Sequence, residues 1–172
     1  SSFIPDGLEY SVADGQWIVA SLNTPIAFGG SKGDLKFRAK SRTGTVSDDF
    51  SFDNVTGSAI SFCFENDEPV YCSGDIRTLI DWENHETVST ADAVFMGLFL
   101  YNSQLVTPPD LPATELADFC YSMMFAGCLN LSRAPKLPAV SLSVGCYYQM
   151  FAACTSLSRA PVLPAAMLSY AC

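Results

Sequence analysis

The chain has 172 residues, 49% of them hydrophobic and 16% charged, which is enough apolar material for a packed core and too ordered a composition for a disordered chain. A formal net charge of −9 leaves no basic stripe to neutralise phosphates, so neither nucleic acid nor an anionic membrane surface is an expected partner. The longest strongly apolar run, 93–101, falls far short of the roughly twenty residues that span a bilayer, so no membrane insertion is expected, and the opening Ser1-Ser2-Phe3 reads as that of a trimmed chain without a leader pattern.

In chain order, Leu8-Glu9-Tyr10-Ser11-Val12 alternates and is followed by Asp14-Gly15 and then Gln16-Trp17-Ile18-Val19, which predicts a hairpin. Leu35 to Lys40 alternates apolar with basic. Ile60-Ser61-Phe62-Cys63-Phe64 and Val70-Tyr71-Cys72 predict two more strands around the polar turn 65–68. Short strands at this spacing predict an antiparallel β-sandwich-like module over 1–76. From Ile76 to Trp82 the pattern shifts to a short junction helix. Residues 1–84 hold 13 acidic and 6 basic side chains against 5 and 3 in 85–172, so the acidity belongs to the N-terminal half.

Candidate chemistry in this half is thin. Gly29-Gly30-Ser31-Lys32-Gly33 spells the G-x-S-x-G elbow of serine hydrolases, but that elbow needs a strand before it and a helix after it, and strand-like alternation follows instead. A glycine turn is the expectation for Ser31. His85 is the only histidine; a triad needs an activated nucleophile and an orienter as well as a base, so no catalytic role is expected for it. Asp48, Asp49, Asp53 and Asn54 offer oxygen ligands at a spacing that matches no calcium loop, and no metal or cofactor is expected. Asn54-Val55-Thr56 and Asn130-Leu131-Ser132 match the glycosylation triplet. Of the seven cysteines, only Cys63 and Cys72 lie on strands predicted to be adjacent and so placed to pair.

The C-terminal half repeats. Leu111-Pro112-Ala113 recurs at 137–139 and 163–165, a spacing of 26, and Cys120, Cys146 and Cys172 keep that spacing. Residues 111–136 and 137–162 share 15 of 26 positions, among them Tyr121/Tyr147, Met124/Met150, Phe125/Phe151 and Cys128/Cys154. A unit this short cannot bury its apolar face alone, so copies should stack. Leu116, Cys120 and Met124 fall at i, i+4 and i+8, which predicts one face of a short helix, followed by a turn, a short strand and a proline-stiffened return. Shifted back by one period, 85–110 keeps the apolar pattern, with Val94 at the Cys120 position and Asn102 at the Cys128 position; it reads as a degenerate capping repeat. A position shared by Cys and Val asks for a small buried group, so Cys120, Cys128, Cys146 and Cys154 are expected reduced and inward-facing.

The units "LPATELADFCYSMMFAGCLNLSRAP" and "LPAVSLSVGCYYQMFAACTSLSRAP" resemble the BspA-type leucine-rich repeats of bacterial surface proteins, through the Met-Phe-x-x-Cys-x-x-Leu block and the Leu-Pro-Ala step. The expected architecture is α+β: a β-sandwich-like module (1–76), a junction helix with a capping repeat (77–110), and an α/β leucine-rich-repeat solenoid (111–172). The resemblance implies adhesion, and with no catalytic constellation among the residues the expected function is a non-enzymatic cell-surface or secreted module that presents its repeat surface to a protein or glycan. The alternative readings are a phage virion decoration or fibre component with the repeats as spacer and, ranked last, a hydrolase using Ser31. Arg133 and Arg159, one repeat apart, and Tyr121, Tyr147 and Tyr148 are the candidate binding-surface residues. The third signature unit stops at its tenth position, Cys172, so the sequence reads as part of a longer chain, or as one whose open end is covered by a second copy end to end.

Overall fold

The computed structural model describes residues 3–51, 56–65 and 67–172. Five short strands form: β1 (Glu9–Val12), β2 (Ile18–Val19), β3 (Leu35–Arg38), β4 (Val70–Tyr71) and β5 (Leu105–Thr107). β1 is central in an antiparallel sheet of order β2-β1-β3, and its turn places Tyr10 opposite Ile18. Basic residues alternate outward on β3, where Lys36 pairs with Asp14 and Arg38 with Glu9 (2.7 Å). β4 and β5 pair in parallel as a second, two-stranded sheet.

This is not the predicted architecture. Among the described residues there is no α-helix, 3-10 helix is confined to Gly30–Lys32 and Ile76–Leu79, and helix makes up 4% of the chain. Among the described residues neither an α/β leucine-rich-repeat solenoid nor a β-sandwich-like module is evident. The junction helix over 76–82 is a single 3-10 turn, capped by the Asp75 carboxylate, which accepts from the Arg77 N–H (2.9 Å). The hairpin expected between 60–64 and 70–72 is also absent: β4 pairs with β5, and 60–64 runs in no strand. The turn residue Asn66 lies outside the described residues.

What replaces the helix is a tape of consecutive tight turns at 92–101, 118–127 and 144–153. Alternate N–H groups stay local: Ser122 donates to Phe119 O, Met124 to Tyr121 O and Ala126 to Met123 O. The intervening ones cross to the next copy. Phe95 donates to Cys120 O, Phe99 to Met124 O, Tyr121 to Cys146 O and Phe125 to Met150 O, at 2.9 to 3.1 Å. An α-helix would keep every bond inside its own segment; here half of the donors join neighbours 25 residues away. Every fourth residue takes positive φ, as at Phe119 (55°), Met123 (52°) and Gly127 (77°). Side chains therefore still recur at a spacing of four, and Leu116, Cys120, Met124 and Cys128 are all buried.

The equivalent aromatic rings lie face to face along the copies. Phe95, Tyr121 and Tyr147 form one column, with centroids 5.9 and 6.2 Å apart. Phe99, Phe125 and Phe151 form a second, at 5.6 and 5.9 Å. The second column continues through Phe62, 5.7 Å from Phe99, to Phe37 of β3, 4.6 Å from Phe62. One hydrophobic cluster accordingly runs from Leu8, Ala20 and Ala39 through Ile76 and Leu79 to Cys154.

The first copy meets the N-terminal half through its carbonyls, which have no preceding copy to serve. Val94 O accepts from both the N–H (2.8 Å) and the Oγ1 (2.9 Å) of Thr45, and Leu98 O accepts from Phe62 N–H (2.8 Å). Asn102, at the cysteine position of the repeat, is buried and bonds twice to the same segment: its Nδ2 donates to Phe62 O (2.5 Å) and its Oδ1 accepts from Phe64 N–H (3.0 Å). Asn102→Cys would restore the repeat letter and lose both bonds, leaving Phe64 N–H without a partner and Phe62 O with only the Ser61 hydroxyl, at 3.3 Å. We expect a loss of about 2 kcal/mol, read as a lower urea midpoint; an unchanged midpoint would show that this clamp contributes nothing.

Candidate functional site

The repeat surface and a cleft in the N-terminal half are the two places where side chains of one kind gather. On the repeat surface, Arg133 and Arg159 are both exposed, as is Lys136, and none of the three has an ion pair among the described residues. No acidic residue follows Asp118, so this end of a strongly acidic protein is locally basic. Ser132 N–H and Oγ both bond to Val106 O, 26 residues earlier, at 3.0 and 3.1 Å, which fixes the backbone beside Arg133.

Of the three candidate tyrosines, Tyr121 is buried while Tyr147 and Tyr148 are partly exposed. Tyr121 is 1% exposed and lies inside its ring column, so it cannot touch a partner; its expected place on the binding surface is corrected. Tyr147 is half-buried in the same column, where burial raises its phenol pKa well above the usual value. Tyr148 is half-buried too, and its main-chain carbonyl accepts from Met123 N–H (2.8 Å). The sequence could not separate these three, because a ring's lateral position within a copy leaves no mark in the spacing. Tyr121 also buries a hydroxyl that bonds to no protein group, where the preceding copy has Phe95. Tyr121→Phe should therefore raise stability by about 1 kcal/mol; a lower melting temperature would mean that the hydroxyl is held.

All seven cysteines are free thiols. Cys63 and Cys72, on segments that do not pair with each other, are not joined. Cys120, Cys128, Cys146 and Cys154 are buried in the stack. Cys128 Sγ donates to Phe99 O (3.0 Å) and Cys154 Sγ to Phe125 O (3.1 Å), the same contact one copy apart. Burial pushes the Cys128 thiol up to about 12, the Cys72 thiol to about 11, and, with help from a hydrogen bond with Cys172, the Cys146 thiol to about 12. In the fold these thiols stay neutral while the unfolded chain ionises near pH 9. Their contribution is present in full below about pH 9 and is lost as pH rises from 9 toward 12. We expect the urea midpoint to fall between pH 8 and pH 10.5, and less steeply once Cys128 and Cys146 are both alanine. Equal slopes would contradict the buried neutral thiols.

Other candidates stay apart. Ser31 sits in the one-turn 3-10 segment Gly30–Lys32, exposed, with no helix after it. The His85 Nδ1 lies 3.3 Å from Trp82 O. Asp49 accepts from Ser47 Oγ (2.7 Å) and Asp48 faces Arg42 (3.8 Å); Asp53, Asn54 and Val55 lie outside the described residues. Asn130 of the second glycosylation triplet is exposed, while the Leu131 beside it is buried. Among the described residues no group of three or more His, Cys, Asp or Glu side chains is placed to hold a metal ion, and no helix is long and apolar enough to cross a membrane.

The cleft was not visible in the sequence. It encloses about 890 Å³ between β3 and β4 and is lined by Trp17, Phe28, Phe62, Phe64, Tyr71 and Trp82, from segments scattered over 66 residues. Arg38 stands at one end, its guanidinium 4.0 Å from the Trp17 ring and 4.2 Å from the Trp82 ring, with Glu9 as its ion-pair partner. A cation held between two indoles and a carboxylate fixes both tryptophans. No family model, no curated protein and no solved structure matches this chain.

Proposed function

We propose that the protein is a non-enzymatic binding module, at the cell surface or secreted, that contacts a protein or glycan partner bearing anionic groups through the surface of its repeated segment. The observation that carries this reading is the set of Arg133, Lys136 and Arg159, exposed and without an ion pair among the described residues, on the longest stretch of the chain that lacks acidic side chains. Two like charges at equivalent positions of adjacent copies repel unless an anionic partner lies across them. The likeness of 111–162 to BspA-type repeats supports an adhesive role. The test is binding to a panel of immobilised sulfated and sialylated glycans and acidic peptides. The protein should retain one or more of them, and Arg133→Ser/Arg159→Ser should weaken that binding about tenfold, as loss of two charge-assisted contacts does. Retention that ignores this double change sinks the reading.

One feature favours an assembly role instead, such as a virion component. Val162 and Tyr170 are 84% and 83% exposed, and Leu163, Met167 and Leu168 are exposed beside them, an apolar patch of a kind that marks association sites. Sedimentation over a concentration series separates the two readings: a concentration-dependent oligomer supports assembly, and a monomer throughout leaves adhesion.

A further inference from the structure

The walls of the aromatic cleft are two open strand edges. On β1, Leu8 O accepts from Ala20 N–H across to β2, whereas Ala13 N–H donates to Asp34 O across to β3. Even residues of β1 thus face β2 and odd residues face β3, so on β3 the main chain of Lys36 and Arg38 turns toward β1. The N–H and C=O of Leu35 and Phe37 turn the other way, into the cleft. Two residues on, Ala39 has the same sense and is satisfied: its N–H donates to Thr78 O (3.0 Å) and its carbonyl accepts from Trp82 N–H (3.3 Å). Leu35 and Phe37 have no such partner among the described residues. On the opposite wall, Val70 and Cys72 donate to Gln104 O and Thr107 O of the β5 side, which leaves the main chain of Tyr71 and Ser73 facing away from β5 and into the same cleft.

From this geometry we infer that the cleft takes up an extended peptide segment, about four or five residues long and carrying Lys or Arg, which enters as a strand between β3 and β4 and joins the two sheets. An extended chain offers donors and acceptors alternately on both of its sides, as two facing strand edges require. A sugar could stack on the aromatic walls, but it has no matching two-sided repeat, so the open edges favour peptide. Charge selects among peptides. Lys36 and Arg38 are already committed to Asp14 and Glu9, and Asp75 to Arg77. Asp34 lines the cleft, and Glu65, Asp67 and Glu68 stand in the chain between the lining residues Phe64 and Pro69; none of the four has an ion pair among the described residues, so the uncommitted charge there is negative. The aromatic walls accept the apolar side chains that alternate with the basic ones.

This site is separate from the repeat surface, so either can fail without the other. The probe is an acetylated, amidated Val-Lys-Val-Lys-Val-Lys peptide. Its controls are the same peptide N-methylated at alternate residues, the Val-Glu counterpart, and a neutral hexasaccharide of glucose. Trp17 and Trp82 are the only tryptophans and both line the cleft, so their fluorescence reports occupancy, with calorimetry for affinity. The Val-Lys peptide should bind, with N-methylation and the Val-Glu exchange each weakening it at least tenfold. Tyr71→Pro removes one cleft-facing N–H while leaving the Val70 and Cys72 bonds to the β5 side, and should weaken binding similarly. The N-methylated peptide probes the wild-type chain, so the outcome stands whatever Tyr71→Pro does to stability. Equal binding of the methylated peptide, binding of the sugar in place of the peptide, or no response to any peptide overturns the proposal.

Discussion

Phe125→Ala is expected to cost about 3 to 5 kcal/mol, as removal of a fully buried aromatic ring does. Phe125 is fully buried between Phe99 and Phe151, and its own N–H crosses to Met150 O (3.1 Å). Removing it opens a cavity in the column that runs from Phe151 through Phe99 and Phe62 to Phe37, and so weakens the repeated segment and the β3 sheet together. Phe151→Ala, half-buried at the end of the same column, should cost distinctly less. Denaturant unfolding of both variants checks the pair. Equal losses, or a loss below about 1 kcal/mol for Phe125→Ala, would mean that the column is not continuous.

That column also shows what the sequence discloses and what it hides. The spacing of 26 is plain in the letters, and it is the spacing at which Tyr121 meets Tyr147, Phe125 meets Phe151 and Glu115 bridges Ser141. The local conformation is not plain. Leu116, Cys120 and Met124 recur at four, which an α-helix explains and which a tape of turns with positive φ at every fourth residue explains equally. Nothing in an apolar period distinguishes a bond to residue i−4 from one to the neighbouring copy. The same ambiguity misplaced 60–64. Its alternation is real, but its partners are the carbonyls of Thr45 and Leu98 and the side chain of Asn102, not β4.

The candidate site divides in the same way. Arg133 and Arg159 could be placed on the surface from their charge alone, because burying an unpaired cation is too costly. Tyr121 could not be placed inside, since a tyrosine is at home in either setting. The cleft was out of reach. It depends on which edge of β3 stays unpaired, and that is decided by β1 taking one edge and by residues 78–82 reaching only as far as Ala39.

Gly44→Ala should be among the most damaging single-methyl additions, with an expected loss of about 2 to 5 kcal/mol. Gly44 is buried with φ +62°, a left-handed conformation that costs a residue with a Cβ roughly 1 to 2 kcal/mol. A Cβ there would also lie 2.5 Å from Val94 O and against the Val94 side chain. Val94 O is the acceptor of both Thr45 bonds, so the methyl cannot be accommodated without pulling the N-terminal half off the first copy. Overpacking of this kind adds typically 1 to 3 kcal/mol to the backbone cost. Gly74→Ala is the control: its φ of +87° is at least as unfavourable, but no atom lies within 4 Å of the added Cβ, so it isolates the conformational penalty. Thermal melts of the two variants should separate clearly, with Gly44→Ala the lower. If they coincide, the close approach of Gly44 to Val94 is not what joins the two halves.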